Sequence, residues 1–409
     1  MNIKQRIALF AGIVVEWFEN MAFLLLAPQI GIIFFNKPSY DEGQGLIPFA
    51  IGCFATFLGS FYYGYLADKN GRVRSIFNTP VIMGLSSFGM VLLPSYSNFA
   101  YSWVLISVLR LFQRFVVSGE NGVISVYVFE NTQVGKQFRN NYFAEAAVLF
   151  GILLATFALY IVTLYIHDPH LQFKTIFLAS TILSVTVYII RKIFLFDKYI
   201  KDKKEYMEQL INKKNLEVQK FSISTVIKYI FVVMIIWSIV PLSFFYKFNF
   251  LPNILNSQFS IDNAEILKNL TISMLFQLLV MYLVAYIGDK IIKRRIILTL
   301  GFLVPLIFYA ISFLYFGEIV QFYIYDFGYV FSPVLLLILL FEIIPMQIRC
   351  TAFNIGFNFI VTIYALLTIP LYMTLYNSFG KYISFLPVLI SYLASFICFY
   401  YMLFKKKNI

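Results

Sequence analysis

Charged side chains stand inside apolar stretches of this 409-residue chain, at spacings that place them on common helix faces. In the first stretch Glu16, Glu19 and Asn20 follow an i, i+3, i+4 pattern, which puts their side chains on one side of a helix. A carboxylate there can hold an ammonium group or carry a proton. Burial favours the protonated form of a carboxyl group and a nearby arginine favours the ionised form, so proton exchange is physically available at such a position.

Two arginines lie in a second apolar stretch. Arg110 and Arg114 are four residues apart, and Gln113 and Glu120, seven apart, share a neighbouring stripe of the same helix. An ionisable group at the centre of a bilayer costs about 3 kcal/mol on insertion scales, so it normally faces a cavity or a partner. Arginine is well suited to the second case, because its guanidinium binds carboxylates through paired hydrogen bonds.

We therefore expect the two stretches to face one water-filled site. The arginines would hold a substrate carboxylate, and Glu16 or Glu19 would hold an ammonium group or carry the coupling proton. The alternative is a set of internal Glu–Arg pairs that only fix the packing of the helices. Lys247 and Asn358, in later apolar stretches, are further candidates for substrate or proton binding, although Lys247 could instead extend its ammonium group to the membrane surface.

The composition shows what must position these groups. The chain is 60% hydrophobic and only 13% charged, with a mean hydropathy of +0.80. Soluble proteins are about half apolar and about a quarter charged. The balance excludes a disordered chain, a disulfide scaffold and an ordinary cytosolic enzyme, and it indicates a membrane protein. Twelve apolar segments, numbered spans 1 to 12, have about the 20 residues that a crossing needs. They cover approximately residues 7–33, 46–67, 75–95, 100–129, 142–166, 175–196, 223–251, 267–288, 296–316, 321–344, 352–376 and 382–404.

Lysine and arginine residues predict the orientation of the spans. With a cytoplasmic N-terminus, inner segments hold 24 of the 32 lysine and arginine residues, outer segments hold four, and four lie within spans. Because positive charge concentrates on the cytoplasmic side, both termini should be inside a multi-pass inner-membrane protein. No compact basic domain exists, so nucleic acid is not an expected partner. The polar segment 197–222 would be a cytoplasmic linker between six-span bundles at 1–196 and 223–409.

The two halves carry related motifs. Asp68 ends span 2 and is followed by Gly71, Arg72 and Arg74, while Asp289 ends span 8 and precedes another basic cluster, at an offset of 221 residues. A second echo, after spans 4 and 10, consists of Glu130, Arg139, Glu342 and Arg349. Paired repeats of this kind are typical of secondary transporters, whose binding site lies near the membrane midplane.

The motif from Gly64 to Arg74, Gly-Tyr-Leu-Ala-Asp-Lys-Asn-Gly-Arg-Val-Arg, resembles the loop 2–3 signature of the major facilitator superfamily. A finer resemblance is to its metabolite:proton symporters, which include proline/betaine, ketoglutarate, citrate and shikimate permeases. The matching segments are Gly12 to Asn20, Leu26-Ala-Pro28, Arg110 to Glu120, Phe250-Leu-Pro252, and Glu342, Pro345, Arg349, Thr351 and Asn358. The resemblance implies two pseudo-symmetric six-helix bundles, proton-coupled uptake and no cofactor, and we expect a monomer.

Three positions depart from the family pattern. Glu19 stands where the family has Asp, Asn20 replaces an aromatic residue, and Arg114 replaces a glycine. The first change keeps a carboxylate with a longer reach, whereas the last places a full charge where the family has none. The substrate of this chain therefore does not follow from its resemblance to individual family members.

The residues at the inner helix ends have a different expected role. The resemblance implies that they form a cytoplasmic latch, which closes the inner side while the outer side is open and makes no contact with substrate. The members of this predicted latch are Gly64, Asp68, Gly71, Arg72, Arg74, Glu130, Arg139, Asp289, Glu342 and Arg349. The second copy has Ile292 and Lys293 in place of the Gly-Arg element, so its part of the latch should be weaker.

The sequence favours a secondary transporter that imports a small carboxylate-bearing metabolite, an amino acid or osmolyte, with protons. The alternatives are an organic-anion or dicarboxylate carrier, an exchanger without protons, and a transport-dead membrane sensor. No phosphate-binding loop, nucleophile elbow or zinc-protease motif is present, so neither an ATP-driven pump nor an enzyme is expected. The segment His167-Asp168-Pro169-His170 offers too few ligands for a metal, and no metal site is expected.

Overall fold

A computed structural model of the chain describes residues 3–35, 47–211, 221–291, 293–380 and 386–405. All regular secondary structure in these ranges is helical, and no strand occurs within them. A helix satisfies its backbone hydrogen bonds within one segment, which the hydrocarbon interior of a membrane requires. The predicted all-α membrane class is confirmed.

The twelve predicted spans all fall on helices. Nine of the described helices are long and apolar enough to cross a bilayer, and a tenth crossing is formed if Ile223–Trp237 and Ile239–Ser257, which meet at a bend of 42°, act as one span. The two other spans coincide with Thr79–Val91, which has 13 residues, and with Leu386–Lys405, which has 20.

The first six spans contain several broken helices. They are Ile3–Leu25 and Ala27–Phe35 in span 1, Ile47–Asn70 in span 2, Arg72–Ile76 and Thr79–Val91 in span 3, Ser102–Val117 and Glu120–Glu130 in span 4, Gln137–Tyr165 in span 5, and Pro169–Phe194 in span 6. Asp168 explains where span 6 begins, because its carboxylate accepts hydrogen bonds from the backbone N–H groups of His170 at 3.3 Å and Leu171 at 3.1 Å. With Pro169 after it, Asp168 is an ordinary helix N-cap.

The last six spans include one π-helical turn. The elements are Ile223–Trp237, Ile239–Phe245, the π-helix Tyr246–Phe250 and Leu251–Ser257 in span 7, Asn263–Lys290 in span 8, Arg294–Leu314 in span 9, Val320–Tyr329 and Phe331–Ile343 in span 10, the 3₁₀ turn Met346–Ile348 and Arg349–Phe379 in span 11, and Leu386–Lys405 in span 12. Pro252 has no N–H with which to continue the α-helical ladder, and the wider turn immediately precedes it.

The chain forms two compact units. The first comprises residues 1–127 and 146–221, and the second comprises residues 128–145 and 222–409. Segment 128–145, which links spans 4 and 5, thus belongs with the later spans. The predicted division at 1–196, 197–222 and 223–409 stays a prediction, and residues 212–220 of the linker lie outside the described ranges.

The described part of the linker is a helix, Phe196–Ile211, which packs within the first unit. The ring of Tyr199 stacks on Phe77 with centroids 4.4 Å apart. Gly71 lies against the same helix with a positive φ of 98°, and a Cβ atom there would come within 2.7 Å of Asp202 Oδ2. The glycine of the loop motif is therefore required both by its backbone conformation and by this close approach.

Gly71→Ala is expected to lower the apparent melting temperature of the purified protein. Backbone strain costs about 1–3 kcal/mol, and the new methyl group must also displace Asp202. Gly135→Ala is the matched control, because Gly135 has a φ of 85° but no atom within 4 Å of the added Cβ. The decrease should be larger for Gly71→Ala, and equal decreases would show that the contact with Asp202 contributes nothing.

Candidate functional site

A closed ion pair joins spans 4 and 6 inside the first unit. Glu120 Oε2 lies 2.6 Å from Arg191 Nη2, Glu120 Oε1 lies 2.9 Å from Arg191 Nη1, and both side chains are 0% exposed. Thr79 also donates to Glu120. Arg191 donates further to the carbonyl oxygens of Ala8 at 3.3 Å and Ile76 at 2.5 Å. The protein itself thus supplies partners for both oxygens of Glu120, as in a structural ion pair.

Because Arg191 lies near the linker, the sequence predicts it to be one of the basic residues on the cytoplasmic side. Its role as the buried partner of Glu120 is not predicted. The structure buries it near the C-terminal end of span 6. Gly12 on span 1 makes room for the pair, because a Cβ atom there would lie 1.9 Å from Arg191 Nη2 and 2.6 Å from Glu120 Oε2. Glu120 is the feature of the sequence that could have predicted such a partner, because a carboxylate inside a span needs a cation or a proton.

Glu19 is surrounded by hydroxyl groups. Its side chain is buried, and Oε1 accepts hydrogen bonds from Ser87 at 2.7 Å, from Ser180, and from Ser184 at 3.5 Å. Glu19 Oε2 has no hydrogen-bond partner among the described residues. Spans 3 and 6 thus hold one oxygen of the carboxyl group and leave the other open.

A chain of hydrogen bonds connects Glu19 to Arg110. Arg110 Nη1 donates to Gln113 Oε1 at 2.6 Å, Gln113 Nε2 donates to Ser87 Oγ at 2.8 Å, and Ser87 donates to Glu19. Arg110 Nη2 also donates to Asn20 Oδ1 at 3.2 Å, and its Nε has no hydrogen-bond partner in the described part of the chain. Four predicted site residues, Glu19, Asn20, Arg110 and Gln113, therefore meet in one network. We call this Glu19–Ser87–Gln113–Arg110 chain the relay.

Glu16 and Arg114 are buried in the same unit and have neutral partners. Arg114 Nε donates to Thr56 Oγ1 at 3.1 Å, and Glu16 Oε2 accepts from the backbone N–H of Asn121 at 3.2 Å. Within the described residues, no ion pair joins Glu16 or Glu19 to Arg110 or Arg114. The predicted alternative of direct Glu–Arg packing pairs is not what the structure shows for these four side chains.

The second unit has its own buried charges. Lys247 is 2% exposed, and its Nζ lies 2.7 Å from Asp326 Oδ1, 2.9 Å from Asp326 Oδ2 and 3.2 Å from Gln277 Oε1. The ammonium group therefore points into the protein, and the alternative of an extension to the membrane surface is wrong. Sequence reasoning misses Asp326, although a carboxylate inside span 10 is a visible signal. Asn358 donates to the carbonyl of Asn354 at 2.9 Å, one turn earlier on span 11.

Two ion pairs of the predicted latch lie within the second unit. Arg139 Nε is 2.6 Å from Asp289 Oδ2, and Arg349 Nη1 is 2.9 Å from Glu130 Oε1. Asp289 also accepts from the backbone N–H of Phe138 at 3.0 Å, so it caps the first turn of Gln137–Tyr165. Each pair joins one residue from the first half of the sequence to one from the second half.

The first copy of the loop motif is arranged differently. Asp68 pairs with Arg72 at 2.8 Å on its own loop, and Arg72 also donates to the carbonyl of Ala67 at 2.8 Å. Of the other predicted latch residues, Gly64 is buried, while Arg74 and Glu342 are half-buried. In the second copy, Ile292 lies outside the described residues.

The family model described as Major Facilitator Superfamily matches residues 8–369. The chain is 32% identical over 122 residues to the proline/betaine transporter of Escherichia coli K12, covering 29% of this chain and 24% of that protein. It is 28% identical over 155 residues to the shikimate transporter of the same organism, covering 36% and 34%, and 27% identical over 191 residues to its alpha-ketoglutarate permease, covering 44% of each. The chain thus aligns with less than half the length of each of these relatives.

Solved structures share the fold. A proton:xylose symporter superposes with a TM-score of 0.67 at 14% identity over 99% of this chain and 95% of the other. A bacterial homologue of the iron transporter ferroportin, in an outward-facing state, gives 0.69 at 11% identity over 98% and 99%. The chain belongs to the Major Facilitator Superfamily, whose members are membrane transporters and not enzymes. The resemblance found in the sequence motifs is confirmed.

Arg191→Met is expected to lower the apparent melting temperature strongly, because removal of one partner from a buried pair costs about 3–5 kcal/mol. The double variant Arg191→Met with Glu120→Gln should recover part of that loss, since no unpaired charge remains. The measurement is thermal unfolding in detergent of Arg191→Met, Glu120→Gln and the double variant. Purely additive effects of the two substitutions would contradict the ion pair.

Proposed function

We propose that this protein is a secondary transporter that imports a small carboxylate-bearing metabolite, an amino acid or osmolyte, together with protons by alternating access. The supporting observation is the relay, which holds a carboxyl group and a guanidinium inside the membrane-spanning part of the first unit. Glu19 Oε2 and Arg110 Nε have no hydrogen-bond partners among the described residues. Open hydrogen-bonding positions on buried groups are expected where a polar ligand or a proton is received.

The two ends of the relay would have complementary roles. Arg110, with Arg114 near it on the same helix, would bind the substrate carboxylate through donors that no protein carboxylate occupies. Glu19 would carry the coupling proton, and Glu16 would be a second acidic group on the same helix face. Ser87 and Gln113 can reorient their hydrogen bonds when Glu19 gains or loses a proton, which would link the two ends.

We propose an inner-membrane location with both termini in the cytoplasm, for which the distribution of lysine and arginine is the support. The Arg139–Asp289 and Glu130–Arg349 pairs would hold one conformation closed at the cytoplasmic side. Transport would require both pairs to break and reform in each cycle.

A second candidate is an organic-anion or dicarboxylate carrier. The observation that favours it is the pair of buried arginines, Arg110 and Arg114, neither of which makes an ion pair with a described carboxylate. Two guanidinium groups one turn apart could bind two carboxylates of one solute.

Uptake by proteoliposomes tests both candidates. Labelled proline, glycine betaine, 2-oxoglutarate and shikimate would be offered with and without an inward proton gradient. The proposal predicts gradient-stimulated accumulation of at least one of them, and preference for 2-oxoglutarate would favour the second candidate. Absence of gradient-stimulated uptake of any compound would contradict proton-coupled import.

Glu19→Gln is expected to abolish accumulation above the external concentration, because the amide keeps the shape of the side chain but cannot exchange a proton. Exchange of external for internal substrate should persist. Glu318→Gln is the matched control, since Glu318 is exposed and outside the relay. Unchanged accumulation by Glu19→Gln would remove Glu19 from the proton role.

Asp289→Asn is expected to lower the initial rate of uptake. The substitution weakens a charge-assisted bond worth about 1.5–3 kcal/mol, which would shift the balance between conformations by about tenfold or more. Asp262→Asn makes the same chemical change at an exposed helix start and should have no effect. An unaltered rate for Asp289→Asn would contradict the latch.

A further inference from the structure

The Lys247–Asp326 pair of the second unit has no role in the proposed function. Its groups come from three spans, with Lys247 on span 7, Gln277 on span 8 and Asp326 on span 10. The two oxygens of Asp326 and the amide oxygen of Gln277 all lie within hydrogen-bonding distance of the ammonium group. The pair is fully enclosed by protein, with exposed side-chain fractions of 2% and 0%.

Stability alone is a weak reason for this arrangement. A buried ion pair loses in desolvation about what it gains in attraction, and apolar side chains of equal volume often serve the fold as well. Lys247 is also carried by the π-helical turn Tyr246–Phe250. Single π-helical turns are rare, and they occur frequently at functional sites.

Two polar side chains that contact Tyr246, the residue before Lys247, have unused hydrogen-bonding capacity. Gln321, on the same helix as Asp326, donates to the hydroxyl group of Tyr246 at 3.3 Å, but its Oε1 has no partner among the described residues. The hydroxyl group of Tyr372, whose ring lies 5.2 Å from that of Tyr246, also has none within the described ranges. Both side chains are 0% exposed. A buried carboxamide oxygen and a buried phenol therefore remain available to a ligand.

Among the described residues, Lys247 and Asp326 form an ion pair with each other and with no further charged side chain. Asp326 interacts electrostatically with the phenols of Tyr323 and Tyr329, which are neutral near pH 7. Other phenols of these spans pack on one another: the ring of Tyr246 contacts those of Tyr325 and Tyr372, and the ring of Tyr309 contacts that of Tyr325. Glu145 on span 5 interacts electrostatically with Tyr329. The charges of Lys247 and Asp326 thus neutralise each other, and a change of charge on one side chain requires a compensating change on the other.

We infer that the Lys247–Asp326 pair is an exchange site for a carboxylate-bearing solute and a proton. The incoming carboxylate replaces Asp326 on the ammonium group of Lys247, and the released Asp326 takes up one proton. The site holds no net charge before the exchange and none after it, because one negative and one positive charge enter together. Gln277 stays bonded to Lys247 and keeps the ammonium group in place, while Gln321 and Tyr372 offer hydrogen bonds to the solute.

The exchange pair is a second proton-dependent binding site beside the one proposed around Glu19, and binding at the pair does not require Glu19. Accumulation of substrate with protons still requires Glu19 under the proposed function. The relay belongs to the first unit, whereas the exchange pair belongs to the second. Substitutions in the Glu19→Gln background therefore report on the second unit without the titration of Glu19.

The test uses the purified full-length protein in detergent. The probes are proline, 2-oxoglutarate and shikimate, with prolinamide as a control that lacks the carboxylate, and the readout is the increase in melting temperature at pH 6 and pH 8. In the Glu19→Gln background, a carboxylate probe should stabilise the protein more at pH 6, because binding takes up a proton. Prolinamide should not show this dependence.

Three further variants in that background separate the contributions of Lys247 and Asp326. Asp326→Asn should keep the stabilisation by the carboxylate probe and lose its dependence on pH, since the amide mimics the protonated acid. Lys247→Gln should weaken the apparent affinity for the probe at least tenfold. The double variant Lys247→Gln with Asp326→Asn leaves no unpaired charge and should fold, yet it should bind the probe as weakly as Lys247→Gln.

Two results would overturn the inference. One is a double variant that matches its Glu19→Gln parent in both affinity and pH dependence. The other is the absence of stabilisation by any carboxylate probe in the wild-type protein and in all variants. If Glu19→Gln itself leaves gradient-driven transport intact while Asp326→Asn abolishes it, the role proposed for Glu19 fails and the exchange site stands.

Discussion

An ionisable side chain inside a membrane must find a partner, and this constraint separates structural from functional charges in the first unit. Glu120 and Arg191 meet it completely, because each side chain is neutralised and hydrogen-bonded by protein groups. Glu19 and Arg110 meet it through neutral serine and glutamine side chains instead of each other. That difference is why we assign the first pair to the fold and the second to transport.

The repeated halves use equivalent residues in different ways. Asp68 bonds to Arg72 within its own loop, whereas its counterpart Asp289 bonds to Arg139 and caps the helix that begins beside it. The second copy lacks the Gly-Arg element, and its aspartate bonds to the segment that links spans 4 and 5. Whether the second copy is weaker therefore depends on the strength of the Arg139–Asp289 ion pair, and not on the residues that its loop lacks.

Much of the fold and part of the site follow from the sequence. Segments of about 20 apolar residues locate the spans, and helical spacing places Glu19 and Asn20 on one face of span 1. In the structure Asn20 accepts a hydrogen bond from Arg110, and Ser87 and Gln113 link Glu19 to the same arginine. The serine partners of Glu19 could not be found in this way, because serine is common in spans and only packing brings Ser87 and Ser180 to one carboxyl group. Arg191 was missed for a related reason, since a count of basic residues records the position of a residue along the chain and not the direction of its side chain.

Proton movement caused by the substrate itself is the most direct measure of the central claim, that the relay couples a substrate to a proton at Glu19. Proteoliposomes with a trapped pH indicator and no imposed gradient would receive external substrate. The proposal predicts acidification of the interior as substrate enters the wild-type protein, and no acidification with Glu19→Gln. Entry of substrate through the wild-type protein at constant internal pH would contradict it.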